Sequence, residues 1–208
     1  MTADLADLAH NYRAVLDSIE RPQVFARTIG DQVIRLGQEF GAAFELPEFS
    51  KDRPDFLRWT WRKPHYPIWV EIVDDGEITT RWLVLSSDDL ALLEHFRDAL
   101  LPALPLAPFD RLVGEAETLA PRALVRLALG TNDGPRPDVT NLLCAGLRDT
   151  DIEVRARAAE AMFVLRWKSF RPAIEAALRH ENDAGLAAML RTWLQEDAAD
   201  GRSAPAPR

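Results

Sequence analysis

The 208 residues are 47% apolar and 28% charged, the balance of a globular protein with chain enough for one large domain or two small ones. A net charge of −8 repels phosphate backbones and weighs against nucleic acid as a partner, and no apolar run reaches the roughly 20 residues a bilayer span needs. The single cysteine, Cys144, excludes an intramolecular disulfide, and Met1-Thr2-Ala3-Asp4 lacks the basic flank of a signal peptide, so the cytoplasm is the expected compartment.

The charge is uneven. Residues 1–106 hold 11 Lys/Arg against 18 Asp/Glu, a net of −7, and the remainder hold 14 against 15, a net of −1. An acidic first half suits a basic protein partner, or plain solubility. Lys51, Lys63 and Lys168 stand against 22 arginines, which with abundant Ala and Leu points to a GC-rich bacterial source.

In chain order, residues 4–20 predict a helix, because Leu5, Leu8, Tyr12, Val15 and Ile19 recur three and four apart. That spacing is a short coiled-coil seam, open to core packing or to a homodimer. Pro22 suits the first turn of a second helix, with Phe25, Ile29, Val33, Leu36, Phe40 and Phe44 as its buried stripe. Gly30, Gly37 and Gly41 weaken that helix by about 1 kcal/mol each and are better read as close-contact positions.

From Phe56 the period becomes two. Leu57, Trp59 and Trp61 alternate with Arg58, Thr60 and Arg62 in a half-buried strand. Ile68-Trp69-Val70-Glu71-Ile72-Val73 is a second strand, Asp74-Asp75-Gly76-Glu77 a turn, and residues 78–85 a third strand. Ser86-Ser87-Asp88-Asp89 then caps a helix reaching Leu101, and Pro102, Pro105 and Pro108 mark a linker. Residues 1–106 therefore predict an α+β module with a three-stranded antiparallel sheet.

Residues 107–197 predict helical hairpins. Leu142 and Ile174, Asp149 and Glu181, and Asp151 and Asp183 each lie 32 residues apart, a period typical of helix–turn–helix repeats. Val139, Leu142, Leu143 and Leu147 form one stripe, and Leu186, Met189, Leu190, Trp193 and Leu194 another. Asp149-Thr150-Asp151-Ile152-Glu153-Val154-Arg155, followed by Ala158-Ala159 and Ala161-Met162, resembles a HEAT repeat. The resemblance implies that Asp151 caps the second helix of a hairpin and that Arg155 holds the turn through carboxylates or carbonyls. The next unit keeps Asp183 but has Leu186-Ala187 at the Val-Arg position, and residues 109–130, with Val125-Arg126, suggest an earlier unit. The fold expected is thus α+β and mainly α, with N-terminal helices and a small sheet followed by a short HEAT-like stack. Residues 198–208 are expected to be a disordered tail.

No catalytic set emerges. His10, His65, His95 and His180 are scattered, with neither His-x-x-x-His spacing nor a cysteine cluster, so no metal or cofactor site is expected. Cys144 lies in an apolar helical stretch and is better explained as a structural thiol than as a nucleophile. Glu71, Asp74, Asp75 and Glu77 cluster at a turn, where carboxylates are ordinary turn chemistry. Aromatic residues stand out instead: the first half holds 12 of the 17, and Trp69 must point opposite to Ile68, Val70 and Ile72.

Accordingly the expectation is a non-catalytic protein-binding protein of the bacterial immunity or adaptor type. Its contact residues are expected to be Trp61, Arg62, Lys63, His65, Tyr66 and Trp69, with Glu71, Asp74 and Asp75 as an acidic surround for a basic partner. The competing readings are a nucleic-acid-binding HEAT-like protein using Arg122, Arg126, Arg155, Arg157, Arg166 and Arg171, and an enzyme whose site is assembled from distant residues.

Overall fold

In a computed structural model of the chain, the described residues are 10–17, 22–39, 44, 47–53, 55–61, 68–132 and 134–200. They are mixed α+β and divide into two units, Met1–Ala107 and Pro108–Arg208.

Residues 10–16 are a strand, β1 (His10–Leu16), where the spacing predicts helix. Tyr12, Ala14 and Leu16 also obey period two, and β5 (Thr80–Ser87) supplies partners at every position from His10↔Ser87 to Leu16↔Arg81. Over two heptads a helix is marginal by itself, and a complete non-local ladder outweighs it. Tyr12 and Val15 of the seam expected for a helix or homodimer therefore stand in a strand, and its Leu5, Leu8 and Ile19 lie outside the described residues.

After β1 comes α1 (Pro22–Glu39), which buries Ile29, Val33 and Leu36. The sheet has five antiparallel strands, not three, in the order β1-β5-β4-β3-β2. The three expected strands, β3 (Phe56–Trp61), β4 (Ile68–Asp75) and β5, form its middle. The strand β2 (Glu48–Arg53) lies at one edge and pairs with β3 through a bulge between Lys51 and Arg53. Its sequence, Glu-Phe-Ser-Lys-Asp-Arg, shows little apolar alternation, and charge plus a bulge is how edge strands resist further pairing.

Cross-strand register sorts the sheet into two faces. Leu57, Trp59, Trp61, Ile68, Val70, Ile72, Leu83 and Leu85 share one face and enter a single core with Ile29 and Val33 of α1 and Leu93, Phe96 and Leu100 of α2 (Leu90–Leu100). Phe44 meets Phe96 edge to face in that core, with centroids 6.2 Å apart. Gly30 lets α1 approach closely, since a Cβ there would sit 3.0 Å from Cζ2 of Trp61. Asp89 caps α2 by accepting from the Leu92 amide at 3.1 Å. The proline-rich stretch after α2 is tied to β1 rather than hanging free: Asp17 donates to the Pro105 carbonyl and Ala107 to that of Val15, at 2.6 and 2.9 Å.

The second unit is three helical hairpins: α3 (Phe109–Ala116) with α4 (Pro121–Leu129), α5 (Pro137–Gly146) with α6 (Ile152–Leu165), and α7 (Arg171–Leu178) with α8 (Ala184–Asp200). The second helices pack in series, α4 on α6 and α6 on α8. Gly146 permits a close crossing, because a Cβ there would fall 2.9 Å from Leu124 Cδ1 and 3.1 Å from Ala158 Cβ. Leu186, Leu190 and Trp193 form the buried stripe of α8, whereas Met189 points outward, one residue off that stripe. Trp193 donates its indole N–H to the Met162 carbonyl at 3.3 Å. Residues 198–200 continue α8, and residues 201–208 of the expected tail lie outside the described residues.

Candidate functional site

Arg62, Lys63, His65 and Tyr66 lie outside the described residues. The other members of the expected contact set are separated by the sheet. Trp61 is only 1% exposed beneath α1, so it is a core residue and offers nothing to a partner. Its neighbour by register is Val70, on the helix-covered face, while Trp69 sits on the opposite face and is half-buried.

The three carboxylates are not a solvated acidic rim. Glu71 is buried and accepts from the Thr60 hydroxyl at 3.2 Å. Asp74 pairs with Arg81 at 2.6 Å. Asp75 is buried and accepts from the Glu77 amide at 2.9 Å, closing the turn into β5. The Arg81 guanidinium offsets the Asp74 charge, so that carboxylate contributes little to long-range attraction of a basic partner. Strand β4 simply extends through Asp75, so what reads as turn chemistry belongs partly to the sheet.

The face opposite the helices carries the more suggestive set. Phe56, Arg58 and Thr60 of β3, Trp69, Glu71 and Val73 of β4, Trp82 and Val84 of β5 and Arg13 of β1 share it by register. None of these enters the helix-packed core. Phe56 and Trp82 meet edge to face at 6.3 Å, and the Arg58 guanidinium lies over the Phe56 ring at 5.5 Å. Phe56, Arg58, Trp69 and Trp82 are all half-buried, so each keeps some surface in water. Sequence reasoning passed over Phe56, Arg58 and Trp82 as contact residues, although strand parity alone sets Phe56 and Arg58 opposite to Trp59 and Trp61.

In the helical unit five of the six arginines considered for phosphate contacts are engaged internally. Arg126 pairs with Glu115 at 3.2 Å, Arg157 with Glu160 at 2.8 Å and Arg166 with Glu196 at 3.3 Å. Arg171 reaches Asp197 and Glu175, and the Asp197 hydrogen bond holds its guanidinium more firmly protonated than usual. Arg155 is bidentate to Glu181, at 2.9 and 3.1 Å, and also donates to the carbonyls of Asp149 and Thr150 at 3.1 and 2.9 Å. The hydrogen bond from Arg155 depresses the Glu181 carboxyl, and Glu181 in turn raises Arg155. Asp151 and Asp183 each cap the helix that follows, accepting from Glu153 and Leu186 at 2.8 Å.

Cys144 is half-buried, and burial pushes its thiol up, away from the thiolate a nucleophile requires. Among the described residues no group of three or more His, Cys, Asp or Glu is placed to hold a metal ion, and no helix is long and apolar enough to cross a membrane. Comparison with protein-family models, with curated proteins and with solved structures yields no match to this chain.

Proposed function

We propose that the chain is a non-catalytic protein-binding protein, an α+β unit joined to a short HEAT-like stack, and that it meets its partner through the sheet face that α1 and α2 leave uncovered. The observation that carries this reading is the composition of that face, with Phe56, Arg58, Trp69 and Trp82 half-buried and two of them packed together. Tryptophan, other aromatics and arginine are the residues enriched at interface hot spots. The ladder also holds the strand backbone, and Phe56 is packed against Trp82 and Arg58, so less conformational entropy is lost when a partner covers them. The internal pairing of Arg126, Arg155, Arg157, Arg166 and Arg171 weighs against the nucleic-acid alternative, because a paired guanidinium must break its ion pair before it meets a phosphate.

The test is site-specific photo-crosslinking in the source cell. A benzophenone side chain at Trp82 should capture a discrete protein, and one at Val24, exposed on α1, should not. Substituting Trp69→Ala should abolish the adduct while leaving the chain folded. Identical adducts from both positions, or none from Trp82, would remove the sheet face from the interface.

A further inference from the structure

Between the α5–α6 turn and α7 the helical unit opens a cleft of about 580 Å³, within the size range of small-ligand and peptide-side-chain sites. Its chemistry divides into a closed interior and an open rim. Inside, Arg155 and Glu181 satisfy each other and the turn carbonyls, so they present no free charge. On the floor, α7 contributes Ala173, Ala176 and Ala177, whose small side chains are what leaves the space open.

The rim is different. Arg148 and His180 both line the cleft, both are exposed, and among the described residues neither makes an ion pair or side-chain hydrogen bond. Thr150 and Asn182 stand in the same position, an unengaged hydroxyl and an unengaged amide on the same rim. Arg148 contrasts with the paired arginines on the same hairpins, each of which has a carboxylate within 3.5 Å. The Asp149 carboxylate, the nearest acidic group in sequence, is occupied as an acceptor for the Asp151 amide at 2.8 Å.

We propose that this cleft receives an acidic segment of a protein partner. Arg148 and His180 grip its carboxylates, Thr150 and Asn182 accept and donate to its backbone, and the alanine floor seats one of its side chains. Charge complementarity selects the occupant: Arg155 and Glu181 neutralise each other and the Asp149 carboxylate is turned to the Asp151 amide, so the donors left at the mouth are the unpaired Arg148 guanidinium and the His180 imidazole, which favour an anion. A carboxylate-bearing peptide fits better than nucleic acid, because a single free arginine is no phosphate-tracking stripe and the chain as a whole carries −8. This site lies on the helical unit and stands or falls separately from the sheet-face reading.

The experiment passes the full chain over three immobilised pools of nine-residue peptides, random and uncharged except for two fixed glutamates, two fixed lysines or two fixed phosphoserines. The glutamate pool should retain the protein best. Arg148→Ala and Arg148→Gln should each cut that retention about tenfold, and His180→Ala by a smaller factor, whereas Arg191→Ala, at an exposed position on α8, should change it less than about twofold. Circular dichroism should show all four variants folded, since both rim residues and Arg191 are exposed. Equal losses from Arg148 and Arg191 would reduce the effect to bulk charge and overturn the site. Preference for the lysine pool would reverse its sign, preference for phosphoserine would reassign it to phosphate, and failure to retain any pool would leave no peptide site there.

Discussion

Two buried tryptophans show how differently the two units are held. Trp193, in the helical unit, lies against α6 and donates its indole N–H to the Met162 carbonyl. Trp61, in the sheet unit, is more deeply buried, yet its indole nitrogen finds no acceptor among the described residues and α1 crosses it at a glycine. The contrast runs through both regions. At the turns of the second and third hairpins polar groups meet in specific pairs, and Asp151, Arg155, Glu181 and Asp183 form one connected set. The sheet unit relies chiefly on the ladder and on apolar packing, beside a few pairs such as Asp74 with Arg81, and its ladder joins residues as distant as Asn11 and Ser86.

The largest effect should come from Trp193→Ala, at about 3–5 kcal/mol lost from the helical unit, as for other large core aromatics. Urea unfolding read by amide exchange in α6 and α8 measures it. Little change there would mean that α8 is not packed through its Leu186, Leu190 and Trp193 stripe.

Next, Arg155→Ala should cost about 1–3 kcal/mol, because it strands the nearly buried Glu181 carboxylate and two turn carbonyls. It should also flatten the acid limb of stability. The folded Glu181 carboxyl is depressed below its ordinary value near 4.5, so its contribution is fully present above that value and is lost as pH falls through the folded value. A pH series from 6 downward should therefore show the variant and the parent converging at the acid end. Parallel curves would place the acid sensitivity elsewhere.

The two glycine crossings allow a direct contrast. Gly146→Ala should destabilise by about 1–2 kcal/mol, since its new methyl would press on Ala158 Cβ, which moves only if α6 moves. Gly30→Ala gains about 1 kcal/mol of helix propensity in mid-helix, offsetting much of its contact with the Trp61 ring, and should come out near neutral. Equal costs would show the sheet core to be as unyielding as the hairpin crossing.

Smallest of all, Trp193→Phe should cost about 1 kcal/mol more than Trp61→Phe, because only the former abandons a made hydrogen bond. Chemical denaturation of the pair measures the difference. The opposite ranking would mean that volume, not the N–H, decides both sites.

These contrasts also explain what could be read from the chain. The hairpins were legible because their contacts repeat locally: a 32-residue offset aligns Asp151 with Asp183, and Arg155 lies six residues beyond the Asp149 carbonyl it binds. Strands β3, β4 and β5 were legible from period two, and so was the opposed orientation of Trp69. Strand β1 was not, because Tyr12, Val15 and their neighbours fit either period and only β5, some seventy residues on, arbitrates. Strand β2 was hidden by its own polarity, an edge strand's protection from further pairing. Trp61, Glu71 and Asp75 of the expected contact set are buried for a related reason: one-dimensional proximity gathers residues that the pleat sends to opposite faces or into hydrogen bonds.

By itself, then, the sequence determined the local matters: the caps at Asp89, Asp151 and Asp183, the stripes of α1 and α8 in the main, the three middle strands and the acidic balance. Those depend on neighbours within a few residues, where side-chain spacing and backbone propensity act directly. Tertiary structure alone decided that residues 10–16 are a strand, that the sheet has five strands, and that Trp61 lies in the core while Trp69 and Trp82 line the other face. It also decided which arginines are paired and that Arg148 is not, since ion pairs such as Arg171 with Asp197 form only once separate helices are brought together.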